Sequence, residues 1–354
     1  MVYYLANTHT NIINLSQTTH KTEKIKMSTY KTLAKTQSKD FVILNLTDTQ
    51  LSNEEWNDGH QNRKILEYTI TELIRRSKPD LITISGDIAW AGNNIAYDKF
   101  ADFIESFHIP WAPIFGNHDN QGGPELVDYV ATRYMKRQHC LFEKGDPALG
   151  NGNYVITITE QGNLITALLL LDSHDKEHYL DESGKECEAW SKLTPAQIEW
   201  YKEQVRHLKA LGCKDSILIT HIPINAYRAA SSCAYKKSVK LQELTLSETL
   251  GDECWEDGYK DSTGVQYEDI SSFPLDDGVF AAVKEMGLTK HVIAGHDHCN
   301  NWMIRYEGIQ LIFALNTGPG CYWNPILNGG TVIQITEDGV KDIHHEYVDV
   351  SHLI

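Results

Sequence analysis

The chain has 354 residues, 41% of them hydrophobic and 10% aromatic, and a net charge of −16 from 32 Lys and Arg against 48 Asp and Glu. That is enough apolar material for a substantial core, and the acidity disfavours general affinity for nucleic-acid backbones, anionic membranes or, without local cations, anionic substrates. Seven scattered cysteines without a Cys-x-x-Cys argue against a disulfide framework or zinc knot and for a reducing, cytoplasmic compartment; no signal-peptide apolar region and no run near ~20 apolar residues is evident.

Residues 1–40 are rich in Thr, Ser, Asn and Lys, lack sustained periodicity, and read as a disordered N-terminal tail. From residue 41 strand and helix alternate. Phe41-Val42-Ile43-Leu44-Asn45-Leu46 reads as a buried strand ending at Asp48-Thr49-Gln50. Helical spacing of Ile65, Leu66, Thr69, Leu73 and Ile74 predicts a helix over about 61–76, and Leu81–Ser85 a strand stopped by Gly86-Asp87. Phe100, Phe103, Ile104 and Phe107 form a further helix face, after which Trp111–Phe115 runs into Gly116-Asn117-His118-Asp119. Repeated strand–helix–strand units imply parallel strands with right-handed crossovers.

Tyr154–Thr159 and Leu164–Leu171, separated by Gln161-Gly162-Asn163, predict a hairpin. Pro195–Leu211 reads as a helix and Ser216–Thr220 as a strand ending at His221. Residues 226–272 lack clear periodicity and read as an irregular insertion bordering the site. The run His291–Ala294 ends at Gly295-His296-Asp297-His298, and Trp302–Tyr306, Ile309–Leu315, Thr331–Ile335 and Asp342–Val348 suggest an antiparallel second sheet. Residues 41–350 are taken as one domain.

Five clusters therefore fall at carboxyl ends of predicted strands, where open α/β sheets bind ligands. A lone Gly-Asp or Gly-Asn is usually just a turn. The ordered set supplies carboxylates, amides and imidazoles, a mixed oxygen and nitrogen donor set that suits Zn, Mn or Fe.

On these five clusters the sequence resembles the calcineurin-like metallophosphoesterase superfamily, whose pattern runs Asp-x-His, Gly-Asp, Gly-Asn-His-Asp/Glu, His, Gly-His-x-His. Leu171-Asp172-Ser173, Pro195–Tyr201 and Thr220-His221-Ile222-Pro223 make it similar to the small purple-acid-phosphatase-like branch. The resemblance implies an α/β fold, a four-layer α/β/β/α sandwich of two mixed sheets, and hydrolysis of phosphate mono- or diesters. It implies two metal ions (Mn, Fe or Zn), one on Asp48, Gln50 and His298, the other on Asn117, His221 and His296, with Asp87 bridging. A hydroxide shared by the metals would attack phosphorus, while His118, oriented by Asp119, stabilises the transition state or protonates the leaving oxygen. Asn117 and His118 are its candidate substrate contacts; Tyr322 is a third from the sequence itself, where Asn316-Thr317-Gly318-Pro319-Gly320 with Tyr322 reads either as a substrate-stacking loop or as a plain Gly/Pro loop with half-buried aromatics.

Two positions depart from the pattern. Gln50 stands where the family has His, as in some Mn-dependent nucleotide-diphosphatase-like members, and Trp90 stands where purple acid phosphatases carry a ligating Tyr, so no purple chromophore is expected. Gln50 is the one feature favouring an alternative, a metal-poor, non-catalytic scaffold or binding member of the same fold. Nothing in the sequence sets the oligomeric state.

Overall fold

Short buried strands and longer amphipathic helices alternate along most of the chain. The computed structural model describes residues 30–236 and 255–354. Its elements begin with β1 (Lys31–Ala34), β2 (Phe41–Leu46), α1 (Gln61–Ser77), β3 (Leu81–Ser85), α2 (Asn94–Glu105) and β4 (Trp111–Ile114). The single turn α3 (Asn117–Asn120), α4 (Gly123–Tyr134), β5 (Tyr154–Glu160) and β6 (Asn163–Leu170) follow. Next come β7 (Lys176–Leu180), β8 (Glu186–Trp190), α5 (Pro195–Ala210), β9 (Asp215–Ile219) and α6 (Ala226–Ala234). The chain closes with α7 (Val279–Met286), β10 (Thr289–Ala294), β11 (Met303–Tyr306), β12 (Ile309–Phe313), β13 (Gly329–Thr336) and β14 (Gly339–Tyr347).

The strands form a seven-stranded sheet in the order β1-β5-β6-β9-β10-β12-β11, a five-stranded sheet in the order β14-β13-β2-β3-β4, and the separate hairpin β7-β8. Both large sheets are mixed: β2, β3 and β4 run parallel, as do β6, β9, β10 and β12, while β5–β6, β11–β12, β13–β2 and β13–β14 pair antiparallel and β1 pairs parallel with β5.

Side-chain alternation shows how the layers stack. Ile217 and Ile219 of β9 face a core shared with β2, β3, β4, α1, α2 and α4, whereas Leu218 between them faces a second core with α5, α6 and α7. The order is helices, five-stranded sheet, seven-stranded sheet, helices: the α/β/β/α sandwich. Each fully buried Leu or Ile contributes about 2 kcal/mol against the ordering entropy. Local signals agree with these elements. Helix α5 starts at a Thr194–Gln197 capping box with Pro195 in its first turn, and α1 ends where Lys78 turns left-handed at φ 49°.

Three sequence expectations need correction. Lys31–Ala34, placed in the tail, is an edge strand paired parallel to β5, its Thr32 hydroxyl 2.8 Å from that of Thr157. The four C-terminal runs do not make one sheet. β12 pairs parallel with β10, carrying β11 into the seven-stranded sheet, while β13 pairs with β2 and brings β14 into the other. The stretch 226–272 opens with the helix α6; residues 237–254 of it lie outside the described residues, and 255–272 is irregular, tied down by bridges Thr263–Met303 and Gln266–Asn300.

Candidate functional site

All five clusters sit just beyond the carboxyl ends of β2, β3, β4, β9 and β10, and the loops hydrogen-bond to one another. Asp48 N donates to Gly86 O (3.1 Å), Gln50 N to Asp87 O (3.1 Å) and Gly295 N to His221 O (3.0 Å). Asp48, Asp87 and His296 hold positive φ of 55°, 50° and 75°, a conformation that costs a non-glycine residue about 1 kcal/mol or more each. Glycines permit the close approach: a Cβ on Gly116 would lie 2.2 Å from Asp87 Oδ1, and one on Gly86 (φ 97°) 2.5 Å from His221 Nδ1.

The expected ligands converge. Asp87, His221 and His296 offer ligand atoms all within 4.8 Å of one another. His221 Nε2 lies 3.2 Å from Asp87 Oδ2, 3.0 Å from Asn117 Oδ1 and 4.0 Å from Asp48 Oδ1. His298 Nε2 lies 3.4 Å from Asp48 Oδ1. Gln50 Nε2 donates to Asp87 Oδ2 (3.0 Å), and the His118 backbone N–H to Asp87 Oδ1 (2.9 Å). Asp48, Gln50, Asp87, Asn117, His221, His296 and His298 are all buried.

The hydrogen bonds orient the two imidazoles. His221 Nδ1 donates to Ser85 O and His298 Nδ1 to Tyr322 O, each at 2.8 Å. Their Nε2 atoms therefore present lone pairs toward oxygens that can themselves only accept. Asp48 Oδ1 and Gln50 Oε1, both buried, have no hydrogen-bond partner. Buried acceptors aimed at one another need a cation between them. Burial opposes a charge on His221, but Asp87 and then Asp48 outweigh it and raise the imidazole to about 10. Burial, with His221 adding, lowers His296 to about 3. Burial also works against the charge of Asp87, and His221 wins, holding its carboxyl below the ordinary range. The residues present thus fit divalent cations, and the oxygen and nitrogen set suits borderline transition metals.

Asp119 is the site expectation that fails. Its carboxylate turns away from His118 and accepts from Gly116 N (2.7 Å), Ile88 N (3.1 Å) and the Tyr97 hydroxyl (2.7 Å). Burial, followed by the Asp87 charge, raises it to about 7. The partner of His118 is Gln121: His118 Nδ1 donates to Gln121 Oε1 (2.8 Å), and Gln121 Nε2 donates to Asp175 Oδ1 (2.9 Å). The Trp90 indole packs on the His118 ring, centroids 4.4 Å apart, leaving His118 Nε2 4.0 Å from Asp87 Oδ2. Nothing in the spacing of Gln121 or Asp175 marked them; a one-turn helix after β4 puts residue i+3 beside His118. Tyr322 stacks on His298 (4.4 Å, 13° between planes), and its half-exposed ring ends in a hydroxyl that donates to Glu268 (2.7 Å). Asp297 accepts from Ser271 N and Asn300 Nδ2, and burial raises it to about 8.

The model of the calcineurin-like phosphoesterase family matches residues 41–300, which span all five clusters. The chain belongs to this family. Among curated members it is 28% identical over 279 residues to "Probable inactive purple acid phosphatase 14" of Arabidopsis thaliana, covering 70% of this chain and 61% of that protein. It is 24% identical over 283 residues to "Probable inactive purple acid phosphatase 29" of the same plant, covering 72% and 63%. The chain spans about three fifths of the length of these two relatives. Among solved structures, a dimetal phosphatase from Danio rerio is 14% identical with a TM-score of 0.48, covering 86% of this chain and 98% of that one. In this calcineurin-like chain no helix among the described residues is long and apolar enough to cross a membrane.

Proposed function

We propose that this protein is a metal-dependent phosphoester hydrolase. Asp48, Gln50 and His298 would hold one cation and Asn117, His221 and His296 the other, with Asp87 shared between them. The observation that carries the reading is the buried cluster in which Asp87, His221 and His296 bring ligand atoms within 4.8 Å of one another, beside Asp48 Oδ1 and Gln50 Oε1, which have no hydrogen-bond partner. When bound, the cations supply Lewis acidity to the phosphoryl oxygens and make water a competent nucleophile near neutral pH.

The chain's own groups do the rest. Gln121 and Trp90 fix the His118 ring so that Nε2 faces the cluster at the mouth of the site. From there it donates to a phosphoryl oxygen or protonates the departing oxygen as the bond from phosphorus to the leaving group breaks. Asn117 and Tyr322 bound the phosphoryl position, and the closely packed strand-end loops keep bulk water from the buried ligands.

One observation favours a second reading, a binding member without turnover: Gln50 turns its Nε2, not its oxygen, toward the bridging Asp87. A panel of aryl phosphates, diesters and diphosphates run with Mn, Fe and Zn separates the two. Hydrolysis with at least one metal is expected; metal binding without any hydrolysis would select the second reading.

A further inference from the structure

A cavity of about 730 Å³ opens beside the cluster between the β7-β8 hairpin, α6 and the 266–274 loop. Trp190 joins it to the site. Its ring meets that of His296 edge-on at 4.6 Å and also lines the cavity. The Ser271 N–H, from another lining residue, donates to the Asp297 carboxylate, so the far wall is braced against the same His296-Asp297-His298 turn. A phosphoryl group alone would fill a small part of this space; cavities of roughly 300–1,000 Å³ take drug-sized ligands.

Its charged groups differ in how they are held. Lys176 lies 5.1 Å over the Trp190 ring and is ion-paired with Glu188 at 2.9 Å. Arg228 has no carboxylate partner among the described residues. Its Nε and Nη2 donate to Ser272 Oγ (2.8 Å) and Ser272 O (3.1 Å), and Ser272 is 3% exposed. A buried anchor thus fixes the plane of a permanently charged guanidinium and leaves Nη1 for a ligand, the arrangement that favours planar anion recognition. Asp269 also lines the cavity, so the sign of the field there is not uniform, and the fixed fork of Arg228 does the selecting.

We infer that this cavity is a leaving-group subsite, in which Arg228 takes a second anionic group, a carboxylate or phosphate, on the organic portion of the substrate. The inference rests on the hydrolase reading and narrows its substrate class to phosphate esters with a doubly anionic framework, their organic part running over Trp190.

The test compares phenyl phosphate, 4-carboxyphenyl phosphate, benzene-1,4-diyl bisphosphate and 4-(trimethylammonio)phenyl phosphate on the metal-loaded full chain. At least a tenfold advantage in kcat/KM is expected for the carboxyl or bisphosphate compound over phenyl phosphate, the better of the two identifying the anion. In Arg228→Met, which keeps the apolar stem, that ratio should fall toward one. A ratio near one in the wild type, a ratio unchanged in Arg228→Met, or preference for the cationic compound through Asp269 overturns the inference. Calorimetric titration of 4-carboxyphenyl phosphate separates the two claims. Binding that weakens at least tenfold in Arg228→Met, with no hydrolysis of any compound, keeps the subsite and refutes the hydrolase. Binding unaffected by the substitution refutes the subsite whatever the turnover.

Discussion

Replacing Asp119 by Asn separates a structural strut from a catalytic orienter. The carboxylate has two oxygens and only donors around it: Gly116 N on Oδ2, and Ile88 N and the Tyr97 hydroxyl on Oδ1. It thereby ties the Asp87 loop to the Asn117 turn. An amide has one oxygen. With the NH2 group in the place of Oδ2 the Gly116 N–H is orphaned; in the place of Oδ1 the Ile88 N–H keeps only its longer contact to the other oxygen (3.3 Å) and the Ala89 N–H loses its acceptor (3.4 Å). That costs about 1–3 kcal/mol; loss of the charge-assisted character of the remaining bonds adds to it, while escape from the burial and Asp87 repulsion that disfavour the carboxylate offsets it, leaving about 2 kcal/mol in all. With an unfolding entropy of about 2.1 cal/mol/K per residue and 354 residues, the transition should fall by about 3 °C. The assay is scanning calorimetry at pH 8, above the raised pKa of about 7, so that the ionised wild type is the reference. Gln121→Ala, at an exposed position, should move the transition by less than 1 °C. An Asp119→Asn transition within 1 °C of wild type would refute the strut assignment.

Three further outcomes follow from the same geometry. Asp87→Asn should abolish turnover, because a neutral amide cannot bridge two cations; activity above a tenth of wild type in a steady-state assay would contradict the bridging role. Gln50→His should tighten binding of the first metal, since imidazole is the better donor to borderline ions; an unchanged affinity in competitive titration with a chelating dye would show that Gln50 is not a ligand. Gln121→Ala should lower kcat roughly 10-fold or more with little change in KM, because general acid contributions of about 10²–10⁴ depend on the ring being held in place; an equal loss in KM would point instead to substrate contact.

Much of the site could be read from the sequence because its chemistry is local. Each cluster directly follows a predicted strand, and parallel pairing of β2 with β3, of β3 with β4 and of β9 with β10 lines up their carboxyl ends within each sheet. What escaped depends on side-chain direction or partner choice. Asp119 and Gln121 are both near His118 in sequence, and only the helical turn decides which one reaches the ring. The runs that became β11 to β14 have strand periodicity, but periodicity reports burial and not which sheet a strand joins. The hairpin β7-β8, with the sequences KEHYL and ECEAW, leaves much of both strands open to solvent and has no apolar stripe to betray it. Yet it supplies Trp190, the wall between the cluster and the cavity. The edge strand β1 is four residues long and mostly exposed, too short for a pattern to emerge.

The central claim is that the converging buried acceptors hold two cations. Equilibrium dialysis of the full chain against Mn, Fe(II) or Zn, followed by elemental analysis, tests it directly. About two metal ions per chain are predicted, falling to one or fewer in Asp87→Asn; less than one per wild-type chain with every metal would contradict the account.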